Sequence, residues 1–158
     1  MADKAELRDA PKVIVFPPVL FLSALILGVA LQFVRTIHLW KGLPARIAGG
    51  ALVVLGLATI ISAKNRMRRA GTNVNPGEPT TAIVTDGPYR FTRNPIYFGG
   101  TVAYLGLSLL FSAFWPLLTL IPFLALMHWG VVLREERYLE GKFGDSYRNY
   151  KAQVRRWL

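Results

Sequence analysis

The stretch Pro95–Leu133 reads PIYFGGTVAYLGLSLLFSAFWPLLTLIPFLALMHWGVVL and contains no Asp, Glu, Lys or Arg over 39 residues. A helix rises about 1.5 Å per residue, so a single helix of this length would reach about 58 Å. The hydrocarbon core of a bilayer is about 30 Å thick, and about 20 apolar residues cross it. The stretch therefore predicts two membrane-spanning helices, at about 95–112 and 114–133, that turn back near Ser112–Pro116.

Two more uncharged runs precede this stretch. Val13–Val34 has 22 residues without a formal charge, and Ile47–Ala63 has 17, which is close to the shortest length that spans a bilayer. We therefore predict an all-α integral membrane protein with about four transmembrane helices, forming one domain over residues 1–158. Small residues in the second span predict close packing against a neighbouring helix: Gly49, Gly50, Ala51 and Gly56.

The basic residues that give the net charge of +10 are distributed as the positive-inside rule predicts for a membrane protein. The charge therefore does not indicate binding to nucleic acid. Basic residues crowd the loop between the second and third spans, and seven more follow the fourth span. Because these segments lie on the same side of a four-helix protein, we expect that side, and both termini, to be cytoplasmic. The compact chain favours a prokaryotic inner membrane.

Other classes of protein are disfavoured by composition. The chain has no cysteine, which excludes disulfides, thiol catalysis and thiolate metal sites, and we expect no metal centre. The first apolar run is too long for a cleaved signal peptide, so it should remain as an anchor. The charged residues 1–12 are expected to be loose or to lie on the surface.

After the fourth span the chain becomes polar and helical. Phe143–Asp145 should break the helix, and Ser146–Leu158 should form an amphipathic helix that lies on the membrane surface. The predicted apolar face of this last helix contains Tyr147, Tyr150, Val154 and either Trp157 or Leu158.

A turn-rich polar segment, DGPYRFTRNPIYFGG, leads into the third span as Asp86–Gly100. Before it, Gly71–Thr80 is either a linker or a flap over a site, and the β-branched stretch Thr80–Val84 should be extended. Pro95 is a natural helix start. Arg93 and Tyr97, four residues apart, would share a face if the first helical turn extended back to Arg93.

Two polar groups should meet at the cytoplasmic boundary if the third and fourth spans form an antiparallel hairpin. One group surrounds Arg93, and the other is Glu135 with Glu136. From the residues alone, they form either a structural salt bridge or a polar binding site. His128, within the fourth span, is either a packed side chain or a functional one.

These segments carry a recognisable pattern. The arrangement G-P-Y-x-x-x-R-N-P-x-Y-x-G over Gly87–Gly99, followed after the hairpin by E-E-x-x-L-x-x-x-F-G-x-x-Y-x-x-Y over Glu135–Tyr150, resembles the isoprenylcysteine carboxyl methyltransferase family. Related membrane phospholipid methyltransferases share the pattern. The resemblance implies an integral-membrane enzyme that uses S-adenosylmethionine without a Rossmann fold, and the sequence has no G-x-G-x-x-G after a strand.

The resemblance also implies a site built from about 80–97 and 134–158. It places cofactor contacts on Thr81, Ala82, Ile83, Val84, Tyr89, Asn94, Pro95, Ile96, Tyr97 and Glu135. Two positions depart from the family pattern. Asn94 stands where the family usually has histidine, and the family's substrate-binding arginine falls on Val131.

The reaction implied is direct displacement at the sulfonium methyl group by a lipophilic acceptor, either a prenylcysteine-like carboxylate or a lipid. A carboxylate acceptor needs no base, since orientation supplies much of the acceleration, whereas an amine or hydroxyl would have to lose a proton. Glu136 is the candidate base, and Arg93 would orient the acceptor or brace the site. A nicotinamide-dependent membrane reductase and a non-catalytic membrane scaffold or transport protein remain as alternatives.

Overall fold

The computed structural model describes residues 9–40 and 42–158, and its regular structure consists of helices. Four helices form the apolar bundle, and each begins or ends close to the limits of an uncharged run. They are α1 (Pro17–Val34), α2 (Leu43–Arg69), α3 (Pro95–Leu110) and α4 (Phe114–Met127). A π-helical turn, His128–Val132, joins α4 to α5 (Leu133–Phe143), and α6 (Asp145–Gln153) follows. No strand occurs in the described part of the chain, so the protein is an all-α integral membrane protein, as predicted.

Three helical runs within the described residues are long and apolar enough to cross a membrane: α1, α2 and the continuous run Phe114–Phe143. A fourth apolar helix, α3, is shorter: its 16 residues give a length of about 24 Å. We expected the second span to be the marginal one, but α2 has 27 residues and continues through the basic stretch 64–69. The expectation counted only apolar residues and therefore left this basic turn out of the helix. Lys and Arg are nevertheless good helix formers and are favoured at helix C-termini.

Helices α2 and α3 pack with their backbones in contact. A Cβ added to Gly49 would lie 2.8 Å from the carbonyl oxygen of Gly106, and one added to Gly106 would lie 2.7 Å from that of Gly49. Gly56 and Gly99 form a second such pair, nearer to the start of α3. The predicted role of Gly49 and Gly56 is therefore confirmed, whereas Gly50 has open space around it.

The central core lies between α1, α3 and α4. Its fully buried members are Tyr104, Leu120, Phe123, Met127 and Val131. Tyr104 and Phe123 stack with their ring centroids 6.0 Å apart, and the Tyr104 hydroxyl is 2.8 Å from the Thr119 hydroxyl. Thr119 in turn donates to the Ala24 carbonyl, which fastens α4 to α1. This core packs α3 and α4 together with α1, and it stabilises the antiparallel hairpin that the sequence predicted.

The ends of the chain differ from expectation. Helix α6 is amphipathic but ends at Gln153 rather than continuing to Leu158, and Val154 is extended. Our expectation for residues 1–12 concerns 1–8 as well, which lie outside the described residues. Asp9 is paired with Lys142 on α5, and Arg134 donates to the Lys12 carbonyl, so residues 9–12 are fastened along α5.

Candidate active site

An open cavity lies where the polar segments before α3 and after α4 meet. It encloses about 850 Å³ of empty space, including the open solvent at its mouth. The loop over 73–84 forms one wall and the start of α3 forms another, while α5 and α6 close the remaining sides. The two polar groups that the sequence placed at the boundary therefore line one cavity.

Nine of the ten predicted cofactor contacts line this cavity: Ala82, Ile83, Val84, Tyr89, Asn94, Pro95, Ile96, Tyr97 and Glu135. Thr81 does not, because its side chain is exposed and its hydroxyl donates to the Gly71 carbonyl. Residues 82–84 form neither helix nor strand, as expected for an extended segment. The hydrogen bonds formed within the described residues leave their backbone groups free for a ligand.

The strongest link between the two halves of the site is the bond from Tyr97 to Glu135. The Tyr97 hydroxyl donates to Glu135 Oε1 at 2.6 Å, joining the first turn of α3 to α5. Helix α3 begins at Pro95, so the helical turn does not extend back to Arg93 as considered. Arg93 and Tyr97 nevertheless line the same cavity. The bond orients one half-buried carboxylate on the cavity wall.

Glu136 lies between two arginines. Arg156 donates from Nε to Oε1 and from Nη2 to Oε2, both at 2.8 Å, and Arg93 Nη1 is 3.1 Å from Oε1. The predicted ion pair is thus made with Glu136 and not with Glu135. Both oxygens of Glu136 already accept hydrogen bonds, and this geometry does not favour its predicted role as a base.

Arg93 is buried at the cavity with donors to spare. Its side chain is 7% exposed, and Nε and Nη1 have no hydrogen-bond partner within the described residues. The 3.1 Å contact with Glu136 lacks hydrogen-bond alignment. Since a buried guanidinium without acceptors is costly, these donors suit an anionic group of a ligand.

Three tyrosines surround the same space. The Tyr150 hydroxyl donates to the Tyr89 carbonyl at 2.7 Å, and Tyr147 lies beside them. Burial raises the pKa of Tyr147 to about 12 and raises the pKa values of Tyr89 and Tyr150 as well, so all three phenols stay neutral. The sequence assigned Tyr147 and Tyr150 to a lipid-facing surface, but both are buried at the site.

The segment after α6 folds back over the residues that precede α3. The Arg93 amide donates to the Arg155 carbonyl at 3.0 Å. The Arg156 carbonyl accepts from Thr92 Oγ1 at 2.9 Å and from Asn94 Nδ2 at 3.0 Å. Asn94, which stands in the place of the family's histidine, therefore uses its amide to bind the backbone of this segment.

Several lining residues were not predicted from the sequence. The segment proposed as either linker or flap contributes Asn73, Val74, Asn75, Pro76 and Thr80 to the cavity. This places it at the site, while its movement stays a prediction. Tyr138 and Leu139 on α5 also line the cavity, and their spacing of three and four residues from Glu135 could have indicated this.

Two other positions considered from the sequence, His128 and Val131, lie away from the cavity. Neither His128 nor Trp129 is among the described residues that line it; His128 packs against Trp129 and Trp157, with ring centroids at 5.5 and 6.4 Å. Val131 is fully buried in the central core. The packed interpretation of His128 is the one the geometry supports, and position 131 does not face the site.

Taken together, the lining offers a carboxylate, a buried guanidinium with free donors, neutral phenols and unused backbone groups. Such a set suits a ligand that carries a cation, an anion and a flat ring. The described residues contain no group of three or more His, Cys, Asp or Glu side chains that could hold a metal ion.

Comparison with known proteins agrees with the geometry. An uncharacterized protein of Haemophilus influenzae is 46% identical over 63 residues, which cover 40% of this chain and 79% of that protein. The protein-S-isoprenylcysteine O-methyltransferase of Schizosaccharomyces pombe is 36% identical over 72 residues, or 46% of this chain and 30% of the yeast enzyme. Residues 44–146, well over half of the chain, match the phospholipid methyltransferase family, from the start of α2 to the start of α6. The chain belongs to the phospholipid methyltransferase family of membrane proteins.

Proposed function

We propose that this protein transfers a methyl group from S-adenosylmethionine to a lipophilic acceptor at the cytoplasmic boundary of the membrane. The observation that carries the proposal is the 2.6 Å bond from Tyr97 to Glu135, which joins the two halves of the family pattern across one cavity wall. A scaffold would need the hairpin but not a cavity lined by these polar groups.

The residues present fit the cofactor's chemistry. Glu135 would take its ammonium group, Arg93 its carboxylate, and the backbone of Ala82–Val84 its nucleoside, while the tyrosine rings would face its cationic sulfur. When bound, the cofactor supplies a methyl group attached to a positively charged sulfur. The chain's own part is to orient both reactants and to exclude water, for which orientation alone contributes roughly 7–11 kcal/mol in good cases.

The acceptor we favour is a lipid with an amine group. Its headgroup would first lose a proton to water; the nitrogen lone pair would then form the bond to the methyl carbon as the carbon–sulfur bond breaks, and the methylated product would carry the positive charge. Arg93 is the one cationic side chain among the described residues that line the cavity, and the cofactor's carboxylate would occupy it. A second carboxylate, from a prenylcysteine acceptor, would then lie near Glu135 without a counter-ion. Methylation assays with an amine-headgroup phospholipid and with a farnesylcysteine analogue test this, and preference for the farnesylcysteine would overturn it.

The decisive experiment is calorimetric titration of the purified protein in detergent with S-adenosylhomocysteine. We expect micromolar binding by the wild type and at least a tenfold loss in Glu135→Gln. Tyr97→Phe removes the phenol that orients Glu135 on the cavity wall, so we expect it to weaken binding as well. Glu140→Gln is the matched control, because Glu140 lies on the same helix but pairs with Lys151 outside the cavity.

The alternatives predict different titrations. A nicotinamide-dependent reductase would bind a nicotinamide dinucleotide and not S-adenosylhomocysteine, and a scaffold would bind neither. A folded wild-type protein that does not bind S-adenosylhomocysteine would therefore refute the proposed function.

We also propose that the cavity side of the bundle is cytoplasmic, which the basic stretch 64–69 and the basic residues of α5 and α6 support. Because the chain has no cysteine, single cysteines report orientation without background. In intact cells, a membrane-impermeant maleimide should label Thr36→Cys, between α1 and α2, and spare Ser146→Cys on α6. The reverse pattern would overturn the orientation.

A further inference from the structure

Residues 154–158 follow α6, beginning with an extended Val154, and lie against the residues that precede α3. Their backbone accepts three hydrogen bonds from consecutive residues of the family pattern: Thr92, Arg93 and Asn94. The side chain of Arg156, in contrast to its backbone, binds Glu136 on α5 through two hydrogen bonds. This segment therefore touches both halves of the pattern.

Glu136 is the link between Arg156 and the cavity. Its side chain is 7% exposed, and a carboxylate so buried requires cationic or hydrogen-bonding partners. Arg156 supplies two aligned bonds, whereas Arg93 is at 3.1 Å without alignment. As long as Arg156 is in place, the acceptor capacity of Glu136 is largely filled.

The donors of Arg93 depend on this arrangement. Arg93 keeps Nε and Nη1 free of hydrogen bonds within the described residues, although Glu136 is its neighbour. Without Arg156, Glu136 would be left with unfilled acceptor sites in a buried position, and Arg93 is the nearest donor. Its Nη1, already 3.1 Å from Glu136 Oε1, would then close into an aligned hydrogen bond and would no longer be available to a ligand.

We propose that Arg156 is a positioning residue: by binding Glu136 it keeps the guanidinium of Arg93 available to the anionic group of the ligand. The assignment rests on the proposed function, since the ligand is taken to be the cofactor with its carboxylate. Arg156 would affect only the amino-acid end of that ligand, because the nucleoside end would lie against other residues.

The test compares two ligands in calorimetric titrations of the purified protein. S-adenosylhomocysteine has the carboxylate, and 5′-methylthioadenosine carries the same nucleoside without the amino-acid end. Arg156→Gln should weaken binding of S-adenosylhomocysteine at least tenfold and leave that of 5′-methylthioadenosine within about twofold of wild type. Arg148→Gln, which removes an arginine paired on the surface of α6, is the control and should change neither.

Three outcomes contradict the proposal in distinguishable ways. If the wild type binds S-adenosylhomocysteine and Arg156→Gln binds it equally well, Arg156 does not position the site. If Arg156→Gln weakens both ligands in proportion, its role is structural only. If the wild type binds neither ligand, the proposed function itself fails.

A variant that keeps the charge covers the case in which Arg156→Gln does not fold in detergent. Arg156→Lys retains a cation near Glu136 but cannot form the paired bonds of a guanidinium. It should bind S-adenosylhomocysteine more weakly than wild type and 5′-methylthioadenosine equally well. Wild-type affinity of Arg156→Lys for both ligands would overturn the proposal, because the paired geometry would then be unnecessary.

Discussion

Adjacent glycines in α2 provide a direct test of how the bundle is packed. Gly49 faces α3, where an added Cβ would lie 2.5 Å from the amide nitrogen of Leu110 and 2.8 Å from the carbonyl oxygen of Gly106. Gly50 has nothing within 4 Å of its added Cβ. The substitutions Gly49→Ala and Gly50→Ala are therefore identical in chemistry and differ only in the face of the helix.

The expected difference follows from two opposing effects. Alanine is favoured over glycine in a helix interior by about 1 kcal/mol, and both variants gain this. Gly49→Ala must also separate two backbones, since neither contacting atom belongs to a flexible side chain, and overpacking of this kind costs about 1–3 kcal/mol. Gly49→Ala should thus be about 1–3 kcal/mol less stable than Gly50→Ala.

The assay is thermal unfolding in detergent, followed by circular dichroism. For a protein of this size, 1 kcal/mol corresponds to about 2–4 °C in Tm, so Gly49→Ala should unfold roughly 2–12 °C below Gly50→Ala. Because α3 carries Tyr97 to the cavity, binding of S-adenosylhomocysteine should weaken in Gly49→Ala alone. Equal Tm values for the two variants would refute the close α2–α3 contact.

Two further predictions concern other parts of the chain. The substitution Val131→Arg, which introduces the family's arginine, should unfold the protein and not create a carboxylate site, because position 131 is fully buried in the central core. A folded variant with new activity on a farnesylcysteine analogue would contradict this. Leu133→Arg, at a half-buried position, is the control. Gly144 joins α5 to α6 at φ 54° and ψ −125°, a conformation open essentially to glycine, so Gly144→Ala should lower the free energy of unfolding by about 1–3 kcal/mol. Gly141→Ala, within α5, should be neutral or stabilising, and equal Tm values for the two would show that the break is not strained.

Hydrophobic runs and the family pattern predicted the main architecture because both are local. The charge-free run from Pro95 required a turn, and the chain does turn at 111–113, between α3 and α4. Proline at the first helical position marked the start of α3. An antiparallel hairpin then brings the start of α3 close to the residues that follow α4, and this geometry predicts that Tyr97 lies near Glu135.

The remaining features arise from contacts between residues far apart in sequence. Periodicity identified an apolar face on α6, but it could not say whether lipid or protein covers that face. Tyr150 reaches the carbonyl of Tyr89, 61 residues earlier, and so faces protein. Arg156 reaches Glu136 across the turn at Gly144, and it lies beyond the end of α6 at Gln153, where we expected the helix to continue to Leu158. The π-helical turn had no sequence signal that we recognise.

The charges at the cavity explain why two adjacent glutamates have different tasks. Consecutive residues on a helix point about 100° apart, so Glu135 faces Tyr97 while Glu136 faces the two arginines. Glu135 accepts one hydrogen bond, from the Tyr97 phenol, and can accept others from a ligand. Glu136 already accepts two hydrogen bonds from Arg156. In the proposed function, Glu135 would recognise a cation of the ligand, while Glu136 would keep Arg93 available to recognise an anion. A ligand with both charges at one end would satisfy both groups, and an acceptor that adds a second negative charge would satisfy neither.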